Sequence, residues 1–242
     1  MAKNQIEILY KDDHLLAVDK PPGWLSIPDR YEPEKPNLQH WLEKTVGKVW
    51  VLHRLDRDTS GVILFALSEA AHREVSLQFE HRTADKKYLA LLDGRLPDDQ
   101  GAIDLPIAQH PGQSGKMVTH PKGKPALTLY QVVERFHHYT LVEADLKTGR
   151  THQIRVHFQS IGFPLAVDPM YGPRKELYLS AFKKKGFSMG KDQEERPLLT
   201  RTPLHAHTLT LTHPVSGEEI TFQSPVPKDF SAVLNQLEKW GR

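Results

Sequence analysis

The stretch His53-Arg54-Leu55-Asp56-Arg57-Asp58-Thr59-Ser60-Gly61, running straight into Val62-Ile63-Leu64-Phe65-Ala66-Leu67, decides how the chain is read. Gly61 to Leu67 is a dense apolar run suited to a buried strand. Ser68 is then placed to cap a helix in which Ala71, Val75 and Phe79 recur every fourth residue. A strand feeding directly into a helix is the local geometry this predicts. Charged residues of both signs stand immediately before the strand. A polar loop at the edge of a core strand can hold a carboxylate in a partly dry pocket, where its charge is worth more and a nearby arginine favours the ionised form. Asp56 and Arg54 are therefore candidates to meet a substrate. The residues alone leave a plainer reading open, in which Asp56 or Asp58 makes a side-chain-to-backbone turn bond and Thr59-Ser60-Gly61 merely turns the chain into the strand.

Outward from this segment, short strands are predicted at Ile6 to Tyr10 and His14 to Val18, before Lys20-Pro21-Pro22-Gly23 halts regular structure. Asn37 is placed to cap a helix through Lys44, with Leu38, Trp41 and Leu42 on one face. Further strands are expected at Lys87 to Asp93, Ala126 to Glu134, Tyr139 to Leu146, Leu204 to Thr212 and Glu219 to Gln223, and a final amphipathic helix at Asp229 to Trp240. Strands outnumber helices and do not alternate strictly with them, so an α+β fold with a mixed, mainly antiparallel sheet is favoured over a doubly wound one. One domain over residues 1–242 is expected. Its polar stretch from Pro173 to Pro203, with Lys183-Lys184-Lys185-Gly186 and Lys191 to Arg196, reads as an exposed insertion.

At 242 residues, 38% hydrophobic and 26% charged, the chain can bury a sizeable core. It shows no secretory leader, and no apolar run approaches the roughly 18 residues that a membrane helix needs. A cytoplasmic protein is expected. The absence of cysteine removes disulfides, thiolate nucleophiles and Cys-ligated zinc. The net charge of +2 announces no polyanion partner, and its distribution matters more than the sum. Leu146 to Val167 holds Lys147, Arg150 and Arg155, with His152 and His157, and no acidic residue; Lys116, Lys122 and Lys124 form a second cluster in a Gly- and Pro-containing loop. Such patches suit a polyanion that touches one face, and charge alone fits plain solvated surface equally well.

The motifs narrow this further. His53-Arg54-Leu55-Asp56-Arg57-Asp58-Thr59-Ser60-Gly61 resembles the H-R-L-D-x-x-T-S-G signature of the RluA-type pseudouridine synthases. Leu16-Ala17-Val18-Asp19-Lys20-Pro21-Pro22-Gly23 resembles the family's strand ending in N/D-K-P-x-G, and Lys87-Tyr88-Leu89-Ala90 its K-x-Y-x-A segment. Lys147-Thr148-Gly149-Arg150-Thr151-His152-Gln153-Ile154-Arg155-Val156-His157 is similar to K-T-G-R-x-H-Q-I-R-x-H, and Leu204-His205-Ala206 to the late L-H-A strand. The motifs stand in the family's order.

The resemblance implies a pseudouridine synthase-like domain with an active-site cleft crossing the sheet, and a reaction in which uracil is detached from its ribose, turned and rejoined through carbon 5. It implies that Asp56 is the catalytic aspartate, that Arg155 pairs with it, and that Tyr88 stacks on the target base and serves in proton transfer. Ile154 would line the apolar floor of the pocket. Arg54 would fill the place of the flipped nucleotide, while Arg150 and the Lys116 to Lys124 loop hold phosphates. Asp56, Tyr88 and Arg155 are accordingly expected to converge. Neither metal nor organic cofactor is implied. The partner implied is structured RNA, a tRNA or rRNA stem-loop, and the default state is a monomer. The signature begins too near the N-terminus for the extra RNA-binding domain some members carry, so docking is expected from the catalytic domain itself.

Two other classes fit the residues less well. His205-x-His207 with His53 and Asp56 offers ligand types for a zinc hydrolase, but H-E-x-x-H is absent. An RNA-binding module without catalysis would be indifferent to Asp56. P-loop and dinucleotide fingerprints are absent.

Overall fold

A computed structural model describes residues 6–183 and 194–241. The chain runs through β1 (Glu7–Lys11), β2 (Leu15–Lys20), α1 (Leu38–Val46), β3 (Trp50–Val51), β4 (Ser60–Ala66) and α2 (Glu69–His81). There follow β5 (Asp85–Asp93), β6 (Gln100–Asp104), β7 (Ile107–Gln109), β8 (Met117–Thr119), β9 (Leu127–Arg135), β10 (Tyr139–Leu146) and α3 (Gln153–Ser160). A short 3-10 turn at Leu179–Ala181 precedes β11 (Leu204–Thr212), β12 (Glu219–Gln223) and α4 (Lys228–Trp240). These elements fall into two compact units, Met1–Tyr88 with His205–Pro225, and Leu89–Leu204 with Val226–Arg242.

In the first unit the strand order is β1-β2-β4-β11-β5, with β3 on β4 and β12 on β11. β4 is buried at every position, which explains its unbroken apolar sequence: neither face meets water. It pairs antiparallel with β2, Leu15 opposite Ala66 and Lys20 opposite Gly61, and parallel with β11, His205 opposite Ser60 and Ala206 opposite Gly61. Ser68 caps α2 by accepting the Ala71 amide at 3.2 Å, and Asn37 caps α1 by accepting the His40 amide at 2.9 Å. Both caps agree with the sequence reading.

In the second unit β5, β10, β9 and β6 follow one another, and β7 and β8 form a separate hairpin. Its core gathers Leu91, Phe136 and Tyr139 from strands and turns with Phe230, Val233 and Leu237 from α4. Parallel pairing of β4 with β11 among antiparallel neighbours, together with four α-helices, makes the architecture α+β with a mixed, mainly antiparallel sheet.

Some expectations change. The stretch 173–203 was expected to be an exposed insertion, yet its described flanks are core: Leu177, Phe182 and Leu199 are buried, and the Leu177 amide donates to the Leu199 carbonyl at 2.8 Å. The charged residues between them obscure this, because a few apolar side chains spaced along polar sequence carry no period. Residues 184–193, including most of the lysine-rich segment, lie outside the described residues. β6 was not expected either. Only Ile103 of its five residues is buried, since it is an outer strand on β9, and an outer strand needs little apolar sequence.

Candidate active site

The loop carrying Asp56 is fastened from below. The Thr59 amide donates to the Asp56 carbonyl at 3.1 Å, closing a tight turn over Arg57 and Asp58. The turn is thus closed by main-chain atoms, not by the side-chain-to-backbone bond of the plainer reading. Ser26 grips the preceding residue twice, accepting the Leu55 amide at 3.0 Å and donating to its carbonyl at 2.9 Å. Lys20, fully buried at the end of β2, drives its ammonium into the same turn. Nζ donates to the carbonyls of Thr59 at 2.7 Å, Arg57 at 2.9 Å and Pro21 at 3.2 Å. The Gly23 amide adds a bond to the Arg57 carbonyl at 2.8 Å. Asp56 itself is half-buried and Arg54 is exposed.

In the sequence Lys20 belongs to a motif at which regular structure stops. A lysine closing an apolar strand before Pro-Pro-Gly was the available signal, but its task depends on carbonyls 37 and 39 residues away. Lys20→Met should strand buried carbonyls, costing about 2–4 kcal/mol of stability, and should loosen the Asp56 turn. Urea unfolding and tritium release from RNA labelled at uridine carbon 5 would check both; a variant that matches the native protein in both would remove Lys20 from the site's support.

Tyr88, on β5, is buried at 7% exposure. Burial and, secondarily, the nearby Asp56 charge push its phenol above the ordinary value of 10.0, so it stays neutral throughout the physiological range. Such a phenol can donate a hydrogen bond or stack on a base. It is poorly suited to act as a phenolate base. The structure thus brings Tyr88 within electrostatic reach of Asp56.

His53, three residues before Asp56, faces inward. Its Nε2 accepts the Leu64 amide at 3.0 Å and its ring lies 5.1 Å from that of Phe79. Burial, helped by the Lys86 charge, lowers its pKa from 6.5 to about 3. The unfolded chain therefore binds the His53 proton at pH 5 and the folded chain does not. Stability from this group is fully present above pH 6.5 and declines as pH falls toward 3, by about 2 kcal/mol at pH 5. Thermal melts at pH 7 and pH 5 should show the loss, and His53→Gln should shrink it.

The motif at Lys147 to His157 proves largely structural. Gln153 Nε2 donates to the Leu127 carbonyl and to Thr128 Oγ1, both at 3.0 Å, while its Oε1 accepts from Thr148 Oγ1 at 2.7 Å and the Arg150 amide at 3.0 Å. His157, fully buried, donates from Nε2 to the Leu105 carbonyl at 2.9 Å and meets Thr128 Oγ1 at 2.8 Å through Nδ1. Burial lowers its pKa, holding it neutral. Because its polar residues are satisfied internally, α3 is buried at six consecutive positions from Gln153 to Phe158 rather than along one apolar stripe. The basic stretch is accordingly not a continuous surface: Arg155 and His157 point into the protein, and Lys147 pairs with Asp145 at 2.7 Å. Arg150 remains half-buried, donating from Nε to the Pro125 carbonyl at 3.0 Å.

Arg155 is 9% exposed. Its Nε and Nη2 donate to Asp168 at 2.7 and 2.8 Å, and its guanidinium lies 4.8 Å from the ring centroid of Tyr171. Ile154, beside it, is 3% exposed. Asp168 and Tyr171 went unnoticed in the sequence because Val167-Asp168-Pro169-Met170-Tyr171-Gly172 has no periodicity and reads as loop.

Among the described residues no group of three or more His, Cys, Asp or Glu side chains is arranged to hold a metal. The pair raised for a zinc site has structural partners. His205 is fully buried, its Nε2 donating to the Ser224 carbonyl and its Nδ1 facing Ser60 Oγ, each at 3.1 Å. His207 Nδ1 meets the same carbonyl at 3.1 Å. No helix among the described residues is long and apolar enough to cross a membrane.

Comparison with known proteins agrees with the motifs. Residues 14–160 match the family model described as RNA pseudouridylate synthase. The chain is 39% identical over 237 residues to the ribosomal large subunit pseudouridine synthase D of Nitrosomonas europaea, covering 96% of this chain and 65% of that relative's length. It is 38% identical over 221 residues to the dual-specificity RNA pseudouridine synthase RluA of Escherichia coli, covering 90% of this chain and 92% of that protein. Among solved structures, human RNA pseudouridylate synthase domain containing 4 superposes with a TM-score of 0.74 at 27% identity, covering 96% of this chain and 93% of that one. The family model spans the segment that carries the Asp56 turn, and the chain belongs to the RNA pseudouridylate synthase family, of the RluA type, whose members convert uridine to pseudouridine.

Proposed function

We propose that this protein isomerises uridine to pseudouridine in structured tRNA or rRNA, with Asp56 as the catalytic carboxylate. The observation that carries the reading is the Asp56 turn. A half-buried carboxylate is held by Ser26 and Lys20 through the backbone on either side of it, next to a buried neutral phenol, in a chain of this family. In the reaction the bond from uracil N1 to ribose C1′ breaks, the base turns, a bond from C5 to C1′ forms, and the C5 proton leaves while N1 gains one. Composition is unchanged, so no oxidant or reductant is consumed.

Asp56 acts on the sugar or on the base while the uracil is detached. Tyr88 stacks on that base and offers its hydroxyl as a donor. The family resemblance assigns to Arg155 the pairing with the catalytic aspartate and to Ile154 an apolar wall of the pocket. A uridine inside folded RNA must first leave its stack, at a cost of a few kcal/mol. The exposed guanidinium of Arg54, beside the Asp56 turn, suits the vacated space, since a planar cation both stacks and hydrogen-bonds. Arg150 and the exposed Lys122 and Lys124 would touch phosphates, setting register without reading sequence. The chain acts in this reading as one cytoplasmic domain, a monomer with RNA as its partner. Tritium released from transcripts labelled at uridine C5, with tRNA and rRNA pools run separately, tests the reaction and names the substrate class; no release from either pool would defeat it.

A further inference from the structure

We infer that Asp168 and Tyr171 are positioning residues that set the guanidinium of Arg155, an inference that rests on the role proposed above for Arg155. The Asp168 side chain is fully buried and gathers four donors. Oδ2 accepts Arg155 Nε at 2.7 Å and Oδ1 accepts Nη2 at 2.8 Å, while Oδ1 also accepts the amides of Met170 at 2.9 Å and Tyr171 at 3.0 Å. One carboxylate therefore holds both the arginine and the backbone of the turn that follows it. The Gly172 amide closes that turn on the Asp168 carbonyl at 2.9 Å.

The turn carries the Tyr171 ring to 4.8 Å from the Arg155 guanidinium. A two-point carboxylate contact fixes a planar guanidinium within its plane, and an aromatic ring beside it restrains tilt out of that plane. The Nε and Nη2 edge of Arg155 is thereby committed to Asp168.

Tyr171 is fixed in turn. Its hydroxyl accepts the Met117 amide of β8 at 2.8 Å and meets Nδ1 of His152 at 2.8 Å. His152 is the left-handed residue (φ 56) at the N-terminus of α3, so the ring is bound to the start of the helix that carries Arg155. The β7–β8 hairpin, which carries Lys116, and the helix bearing Arg155 thus share one tyrosine, and Asp168 and Tyr171 act on the reaction through Arg155.

The experiment is single-turnover tritium release by the full chain from C5-labelled tRNA and rRNA transcripts, with RNA dependence separated from the rate at saturation. Asp168→Asn keeps an oxygen for the two amides but loses the charge and one acceptor for Arg155. It should slow the saturated rate about 30-fold while the RNA concentration for half-saturation stays within about threefold. Placed on Arg155→Ala, the same change should cost less than about threefold, because a residue acting through Arg155 has nothing left to position. A further tenfold loss in that background overturns the inference. Tyr171→Leu should slow the saturated rate about tenfold, and Tyr171→Phe, which keeps the ring, should stay within about threefold of native. If Asp168→Asn does not fold, this pair decides, and equal loss in both tyrosine variants overturns the platform. A native-like rate for Arg155→Ala would remove the role proposed for Arg155 and the positioning with it, whereas an inactive native chain would point to failure of the functional reading.

Discussion

Asp56→Ala is expected to abolish pseudouridine formation, with C5 tritium release falling at least about a thousandfold and RNA binding retained. The magnitude follows from the part the carboxylate plays: without a group to act on the sugar or the detached base, every route the family chemistry allows loses its central participant. The fold should survive. The bond that closes the turn is accepted by the Asp56 main-chain carbonyl, and the fastenings from Ser26 and Lys20 reach the backbone of Leu55, Arg57 and Thr59, all of which alanine leaves in place. Circular dichroism should be unchanged, and filter binding of tRNA and rRNA transcripts should match the native chain. A variant keeping more than about a hundredth of native release would deny Asp56 its role and favour the binding-only alternative.

Gly61→Ala should cause the largest loss of stability from a single methyl group. Gly61 has φ +116, a conformation that side chains rarely adopt, and a Cβ placed on it would lie 2.1 Å from the Ala206 carbonyl oxygen and 2.6 Å from the Ala206 nitrogen. Both obstacles are backbone of the neighbouring parallel strand, so no rotamer change relieves them. β4 and β11 must separate, at a cost of about 3 kcal/mol or more. Gly23 provides the contrast: φ is +85, but nothing stands within 4 Å of its would-be Cβ. Gly23→Ala should cost only about 1 kcal/mol of backbone strain. Urea denaturation of the two variants beside the native chain should give this order, and equal midpoints would show that the approach of β11 does not restrict residue 61.

The glycine closing the signature is therefore a packing requirement, while the aspartate five residues earlier is proposed as a chemical one, and the sequence presents them alike. Strands and helices with a clear period were readable: β10, β11 and β12 have the expected limits, and the caps at Asn37 and Ser68 make the bonds their residue types suggest. β6 and the buried flanks of 173–203 were not, because one or three apolar residues in polar sequence become core only when a partner strand or α4 covers them.

At the candidate site the division is the same. Sequence by itself determined the family and the α+β class and singled out Asp56 as the candidate carboxylate, because the motifs place residue types at set spacings along one chain. Only the tertiary structure decided that Lys20 supports the Asp56 turn, that His157 and Gln153 are internal struts, and that Arg155 is gripped by Asp168 and Tyr171. Those contacts join residues from 13 to 39 positions apart. A hydrogen bond constrains where two groups meet in space and leaves no period or spacing in the chain that brings them there.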